Sequence, residues 1–225
     1  MPHGLPRPRV AHALALALVA ACASGAPAVN PAVKPPVAEP SEHALSGLAR
    51  VHVAVLPAYA VHIAPGLSWA SSISSPEAVR QTLDADIASA FDDRGLRHQW
   101  IFPPELEASY RRNAAYASDP RDLAEEPLRS PSLSVDARIP EPLASQLRTL
   151  VALHDDVRLV LAPVELRFEP VSATAGRAVL RLVLVDARMS NVRWMGEINS
   201  DTATTYGPVI TASIGAKLAA VVAAP

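Results

Sequence analysis

Cys22 is the only cysteine in 225 residues, and it closes the run Val19-Ala20-Ala21-Cys22 directly after an apolar stretch. A lone thiol can carry an acyl chain, but it cannot form a disulfide or a redox pair within the chain. Past residue 21 the histidines are His43, His52, His62, His98 and His154. None lies three to five residues from another, so a zinc site would have to be assembled wholly by the fold. A glycine-rich phosphate loop and a nucleophile elbow are both missing from the sequence. The tightest polar cluster is His154-Asp155-Asp156, which reads first as the end of a helix entering a strand. His154 and Asp155 together with Asp186 are the set that could serve an enzyme, provided the side chains converge in one pocket. Asp186 itself could be a buried carboxylate with a raised pKa. Its place at a hairpin end favours a turn hydrogen bond instead.

Two stretches have the composition of a contact surface. Tyr110, Arg111, Arg112 and Asn113 are followed by Tyr116, Arg121 and Arg129, a mixture of tyrosine and arginine of the kind enriched at protein interfaces. Glu105, Glu107, Asp119, Asp122, Glu125 and Glu126 lie among them, so the same stretch also reads as a solvated helix face with balanced charge. In the segment from Ala58 to Ser74, Tyr59, Leu67 and Trp69 have no periodic place in a core. An exposed Trp69 there would mark a binding surface.

The start of the chain supplies an address. Arg7 and Arg9 form a basic region, Val10 to Ala21 is apolar and uncharged, and small residues precede Cys22. This is the layout of a secretory signal. A membrane span needs roughly 20 apolar residues, and this stretch has twelve. Its last four residues resemble the lipobox of bacterial lipoproteins. The resemblance implies cleavage before Cys22 and a covalent diacylglycerol and acyl lipid on its thiol, such as palmitate, with no other cofactor expected. Ala23 stands where an Asp would imply inner-membrane retention, so the resemblance points to the periplasmic face of the outer membrane if the source is Gram-negative. The expected organisation is a signal peptide at 1–21, a lipidated proline-rich linker at 22–42 and a single domain at 43–225. Prolines 27, 31, 35, 36 and 40 make the linker a disordered tether, with a reach of at most ~60 Å if extended. Beyond the signal the chain has 18 basic against 22 acidic residues. Nucleic acid is therefore not an expected partner, since phosphate-backbone binding needs a basic excess.

The elements that must position these residues follow from periodicity. Val51 to Leu56 reads as a strand covered on both faces. Ser74-Ser75-Pro76-Glu77 starts a helix, Val79, Leu83, Ile87 and Phe91 give it one apolar stripe, and Gly95 ends it. Trp100 to Phe102 suggests a second strand stopped by Pro103 and Pro104. Glu105 to Ala117 can form a helix, Asp119-Pro120 can cap a shorter one ending near Glu126, and Leu128 to Pro140 has loop chemistry. A further helix is expected from Glu141 to His154. Val157 to Phe168 is a strand with Pro163 at a bulge or an edge. Residues 179 to 198 read as a buried antiparallel hairpin with Leu180, Leu182 and Leu184 on one face. Gly207 to Ala224 reads as a helix laid on the sheet, a membrane-contacting element being the alternative.

This order predicts an α/β fold, a compact sandwich of a mixed sheet of about five strands packed by helices. The segments VHVAVLP at 51–57 and LRLVLVDARMSNVRWMGEI at 180–198 resemble those of envelope lipoproteins related to the curli secretion subunit and the penicillin-binding-protein activators. Asp186 and Trp194 match the Asp and Trp of that hairpin, although its turn lacks the usual glycine. The resemblance implies this fold more than a partner. The function expected from the sequence as a whole is that of a lipid-anchored cell-envelope protein acting without catalysis by binding or tethering another envelope component, with an envelope protein as the expected partner. The alternatives are a subunit of a homo-oligomeric envelope secretion channel, which the fold resemblance suggests, and a periplasmic enzyme using His154, Asp155 and Asp186.

Overall fold

The computed structural model describes residues 45–73 and 75–224. The expected signal, Cys22 and the linker lie outside them. Six strands form one mixed sheet in the order β3-β1-β4-β5-β6, with β2 also paired to β4. β1 (Val53–Val55) is buried along its whole length. Its alternation splits it between two cores, Val53 and Val55 facing one and Ala54, with the following Leu56, the other.

α1 (Pro76–Asp92) forms where the cap chemistry requires. The Ser75 hydroxyl accepts from the Ala78 amide at 3.1 Å, Pro76 takes the first turn, and Glu77 meets the positive end of the helix dipole. Val79, Leu83, Ile87 and Phe91 are buried. Gly95 has φ +69°, a conformation that glycine adopts without the Cβ penalty, and the chain turns there so that the Leu96 amide returns to the Phe91 carbonyl. β3 (Trp100–Ile101) then runs parallel to β1, and Trp100 meets Phe91 edge to face.

Pro103 and Pro104 do not merely stop a strand. They occupy the first turn of α2 (Pro103–Arg112), where a missing amide costs nothing, so this helix starts earlier and ends earlier than its sequence pattern suggests. The expected helix after Asp119-Pro120 does not form. A single 3-10 turn, Glu126–Arg129, stands after it, because Pro127 fits only the beginning of a helical turn. α3 (Leu143–Ala152) falls within the expected helix.

β4 (Leu159–Pro170) is the central strand. β1 pairs with Val160 and its neighbours, and β2 (Val61–Ile63) pairs further along the same side, opposite Leu166 to Phe168. β2 is a sixth strand that the loop-like 58–74 segment concealed. Pro163 sits at a bulge, as expected, but not at a sheet edge. Its carbonyl accepts from the Tyr59 amide, on the side where the chain passes between β1 and β2. In an extended strand the ring nitrogen faces that same side, so the missing donor falls in a gap of the ladder.

β5 (Gly176–Asp186) and β6 (Asn191–Asn199) form the expected hairpin. Leu180, Leu182 and Leu184 pack with α1 and α4 (Val209–Ala223), while Val183 and Val185 pack with α2 and α3. α4 is a core helix on the sheet, and no described helix is long and apolar enough to cross a membrane. The architecture is therefore a compact α/β sandwich in which helices cover both faces of a mixed sheet.

Trp69 requires a correction. It is 4% exposed, meets Phe168 edge to face at 5.7 Å, and donates its indole N–H to the Ala203 carbonyl. Gly176 makes the fit possible: a Cβ there would stand 2.4 Å from Leu67 and 2.8 Å from Trp69. A segment without internal periodicity thus closes the end of a core through contacts far away in sequence.

Candidate functional site at the carboxyl end of the first strand

From β1 the chain runs through α1 on one face of the sheet to β3, and then through α2 and α3 on the other face to β4. β1 is thus a topological switch point, and open α/β sheets tend to bind ligands outside the carboxyl end of such a strand. A cluster of ionisable side chains occupies this position. Asp84 of α1 accepts from the Ala58 amide at 2.8 Å and from Arg121 at 3.3 Å. Arg121 also donates to Glu107 of α2 at 2.7 Å, so one guanidinium ties α1 to α2. Arg80 donates to the Tyr59 carbonyl and pairs with Glu77. Glu125 closes the cluster from the loop; it is 1% exposed and its Oε2 has no hydrogen-bond partner among the described residues.

Burial governs the electrostatics. It pushes Asp84 up to about 6, against the Ala58 amide and Arg121, which favour the anion. It pushes Glu125 up to about 8, with the negative charge of Asp84 adding to the shift. Two carboxyl groups with different, raised pKa values could divide acid and base roles. The space beside them decides otherwise. The enclosed cavity measures about 40 Å³, roughly the share of one water, whereas ligand sites start near 300 Å³. The cluster can hold a proton or a water and can join helices, but it has no room for a substrate.

The tyrosine and arginine stretch divides in two. Arg121 and Arg129 point inward to acids: Arg129 pairs with Glu126 and with Glu165 of β4. Tyr110 is half-buried, Arg111 and Arg112 are exposed, and Tyr116 is 65% exposed with its hydroxyl donating to Asn113. Arg111 reaches Glu107 only at 3.8 Å, and Arg112 has no ion pair among the described residues. Trp69 belongs to the opposite core and does not join this surface.

The enzyme constellation is dispersed. His154 is half-buried, its pKa lowered by burial and by Arg112, and it lines a groove beside β3 with Arg97. Asp155 is exposed. Asp186 lines a different cleft, of about 630 Å³, with Trp194. Against the upward pull of burial, Arg158 and the Met189 amide at 3.0 Å hold the Asp186 carboxyl below the usual range. Asp186 is therefore a charged turn-forming carboxylate, as its hairpin position suggests. No group of three or more His, Cys, Asp or Glu among the described residues could hold a metal ion.

Sequence reasoning missed Asp84 and Glu125. Asp84 had a signal: it stands three residues before Ile87, on the flank of the buried stripe, where a carboxylate needs a partner. Glu125 had none, since it lies in a polar stretch next to Glu126 and Pro127.

No protein-family model matches the sequence, and no curated protein matches it. Among solved structures, the PelC dodecamer from Paraburkholderia phytofirmans is similar over 77% of this chain and 88% of that one, at 14% identity and a TM-score of 0.39. A leucine-to-methionine variant of that dodecamer is similar over 82% of this chain and 93% of that one, at 12% identity and a TM-score of 0.37. Similarity this remote transfers no function to the chain.

Proposed function

We propose that this protein is an exported lipoprotein, acylated on Cys22, whose α/β domain acts without catalysis by binding another component of the cell envelope. The observation that carries this reading is the run Val19-Ala20-Ala21-Cys22 behind an apolar stretch with a basic start. The fold adds a candidate contact surface at the end of α2, where Arg111, Arg112 and Tyr116 are exposed. Exposed tyrosine and arginine supply large contact area and directional donors. The lipid keeps the domain at the membrane, and the proline-rich linker sets its reach, so partner encounter becomes a matter of effective concentration.

The test is metabolic labelling with a clickable fatty acid, combined with crosslinking in intact cells through a carboxyl-terminal tag. Label on the wild type and not on Cys22→Ala, with one envelope protein crosslinked only to the anchored form, is the expected result. Unlabelled wild-type protein overturns the anchor. A labelled protein that crosslinks only to itself moves the function to a homo-oligomer.

A further inference from the structure

The open clefts of the domain differ in how their arginines are neutralised. In the cleft beside Trp194, Arg158 is paired with Asp186 and Arg193 has no ion pair among the described residues, and in the groove beside β3, Arg97 is paired with Glu105 and Arg112 has none, so each carries one unmatched arginine. A bowl of about 580 Å³ between the start of α3, the loop before it and the β5–β6 turn is different. It presents Arg138, Arg148 and Arg188 and a single acid, Glu141. Arg148 is committed: it donates to Glu141 at 2.7 Å and to the Ser190 hydroxyl at 2.7 Å. Arg138 and Arg188 have no ion pair among the described residues.

The bowl is built firmly. The Ile139 amide donates to the Ser190 carbonyl at 2.8 Å, and Arg138 bridges Asn191, which fastens the loop to the hairpin turn. Asp186 holds that turn through the Met189 amide. Hydrogen bonds from Ser145 and Arg148 keep the Glu141 carboxyl charged, at about 2, so Arg148 remains oriented. Arg138 and Arg188, beyond this internal pair, line a volume within the range of small-ligand sites. One carboxylate would leave an arginine unmatched, whereas a phosphate monoester carries close to two charges and accepts bidentate arginine contacts.

We propose that the Arg138, Arg148 and Arg188 bowl is a binding site for a phosphate-bearing ligand, either a soluble phosphate or a phospholipid headgroup. This site is independent of the lipid anchor and of the α2 contact surface. Apolar Ile139 and Ala144 line the bowl, and Met189, 62% exposed, would meet the organic part of such a ligand.

The test is calorimetric titration of the full chain, in nonionic detergent at low salt, with inorganic pyrophosphate and with a short-chain phosphatidic acid. Saturable binding is expected, weakened at least about tenfold in the double variant Arg138→Gln with Arg188→Gln. The control pair Arg50→Gln with Arg94→Gln, two exposed arginines elsewhere, should bind like the wild type. Tighter binding of the phosphatidic acid assigns the site to a headgroup, and tighter binding of pyrophosphate assigns it to a soluble phosphate. Absence of saturable binding in the wild type, or equal losses in the two double variants, overturns the proposal. Thermal unfolding of each variant separates loss of the ligand from loss of the fold.

Discussion

The carboxylate cluster behind β1 and the arginine bowl at the hairpin turn are both concentrations of charge, yet they differ in enclosure. The first surrounds about 40 Å³ and buries Glu125 and Asp84, whose carboxyl groups are driven toward their neutral forms. The second opens on about 580 Å³ and leaves Arg138 and Arg188 without an ion pair among the described residues. Enclosed charge acts on the stability of the protein, because its desolvation must be offset within the fold. Open charge costs the fold little and is free to act on a ligand.

The sharpest way to break this contrast is to remove one arginine from each region. Arg121→Ala leaves Asp84 without its cation and unties α1 from α2, so a loss of about 3 kcal/mol is expected in urea unfolding at pH 8. The loss should shrink at pH 5, where Asp84 is largely protonated. Equal effects at both pH values would place the role of Arg121 in packing and not in charge.

The next effect concerns pH. Asp84 and Glu125 have folded pKa values above their ordinary 3.8 and 4.5, so the folded state holds protons more tightly than the unfolded state. Their contribution to stability is complete below the ordinary values and is lost as pH rises through about 6 and about 8, by at most about 1.4 kcal/mol per pH unit for each group. Glu141, Glu165 and Asp186 have lowered values and act in the opposite sense, losing stability as pH falls below the ordinary carboxylate range. Stability should therefore peak at about pH 5 and fall toward pH 8. Denaturant midpoints across that range check the sign. Glu125→Gln should stabilise the protein by at least about 2 kcal/mol at pH 8 and by less than about 1 kcal/mol at pH 5.

Within the bowl the effects are smaller. Arg148→Ala removes the link between Glu141 and the Ser190 hydroxyl, and a loss of about 1 kcal/mol is expected. Arg188→Gln should change stability by less than about 0.5 kcal/mol, since its side chain is exposed and has no ion pair among the described residues to lose. A large destabilisation by Arg188→Gln would make the bowl structural and erase its difference from the carboxylate cluster.

Much of the scaffold was legible in sequence because its causes are local. Ser75 caps α1 through a bond spanning three residues. The stripe from Val79 to Phe91 depends on the pitch of one helix, and the division of Leu180, Leu182 and Leu184 from Val183 and Val185 depends on the two-residue period of one strand. The candidate site was only partly legible. The composition of Tyr110 to Tyr116 marked a surface, but only the fold separates exposed Arg111 and Arg112 from Arg121 and Arg129, which meet acids on other elements.

The sequence alone determined the order and period of most elements, the cap and stop of α1, the turn role of Asp186, and the lipobox-like run at Cys22. Tertiary structure alone decided that Trp69 is core, that 61–63 is a strand, that Asp84 and Glu125 share one site, and that Arg138 and Arg188 have no ion pair among the described residues. The physical reason is distance along the chain. Propensity, caps and periodicity act within a few residues, whereas the Trp69 to Ala203 bond spans 134 residues and the Arg121 to Asp84 pair spans 37. Such partners are chosen by the packing of the whole domain, and no local pattern records them.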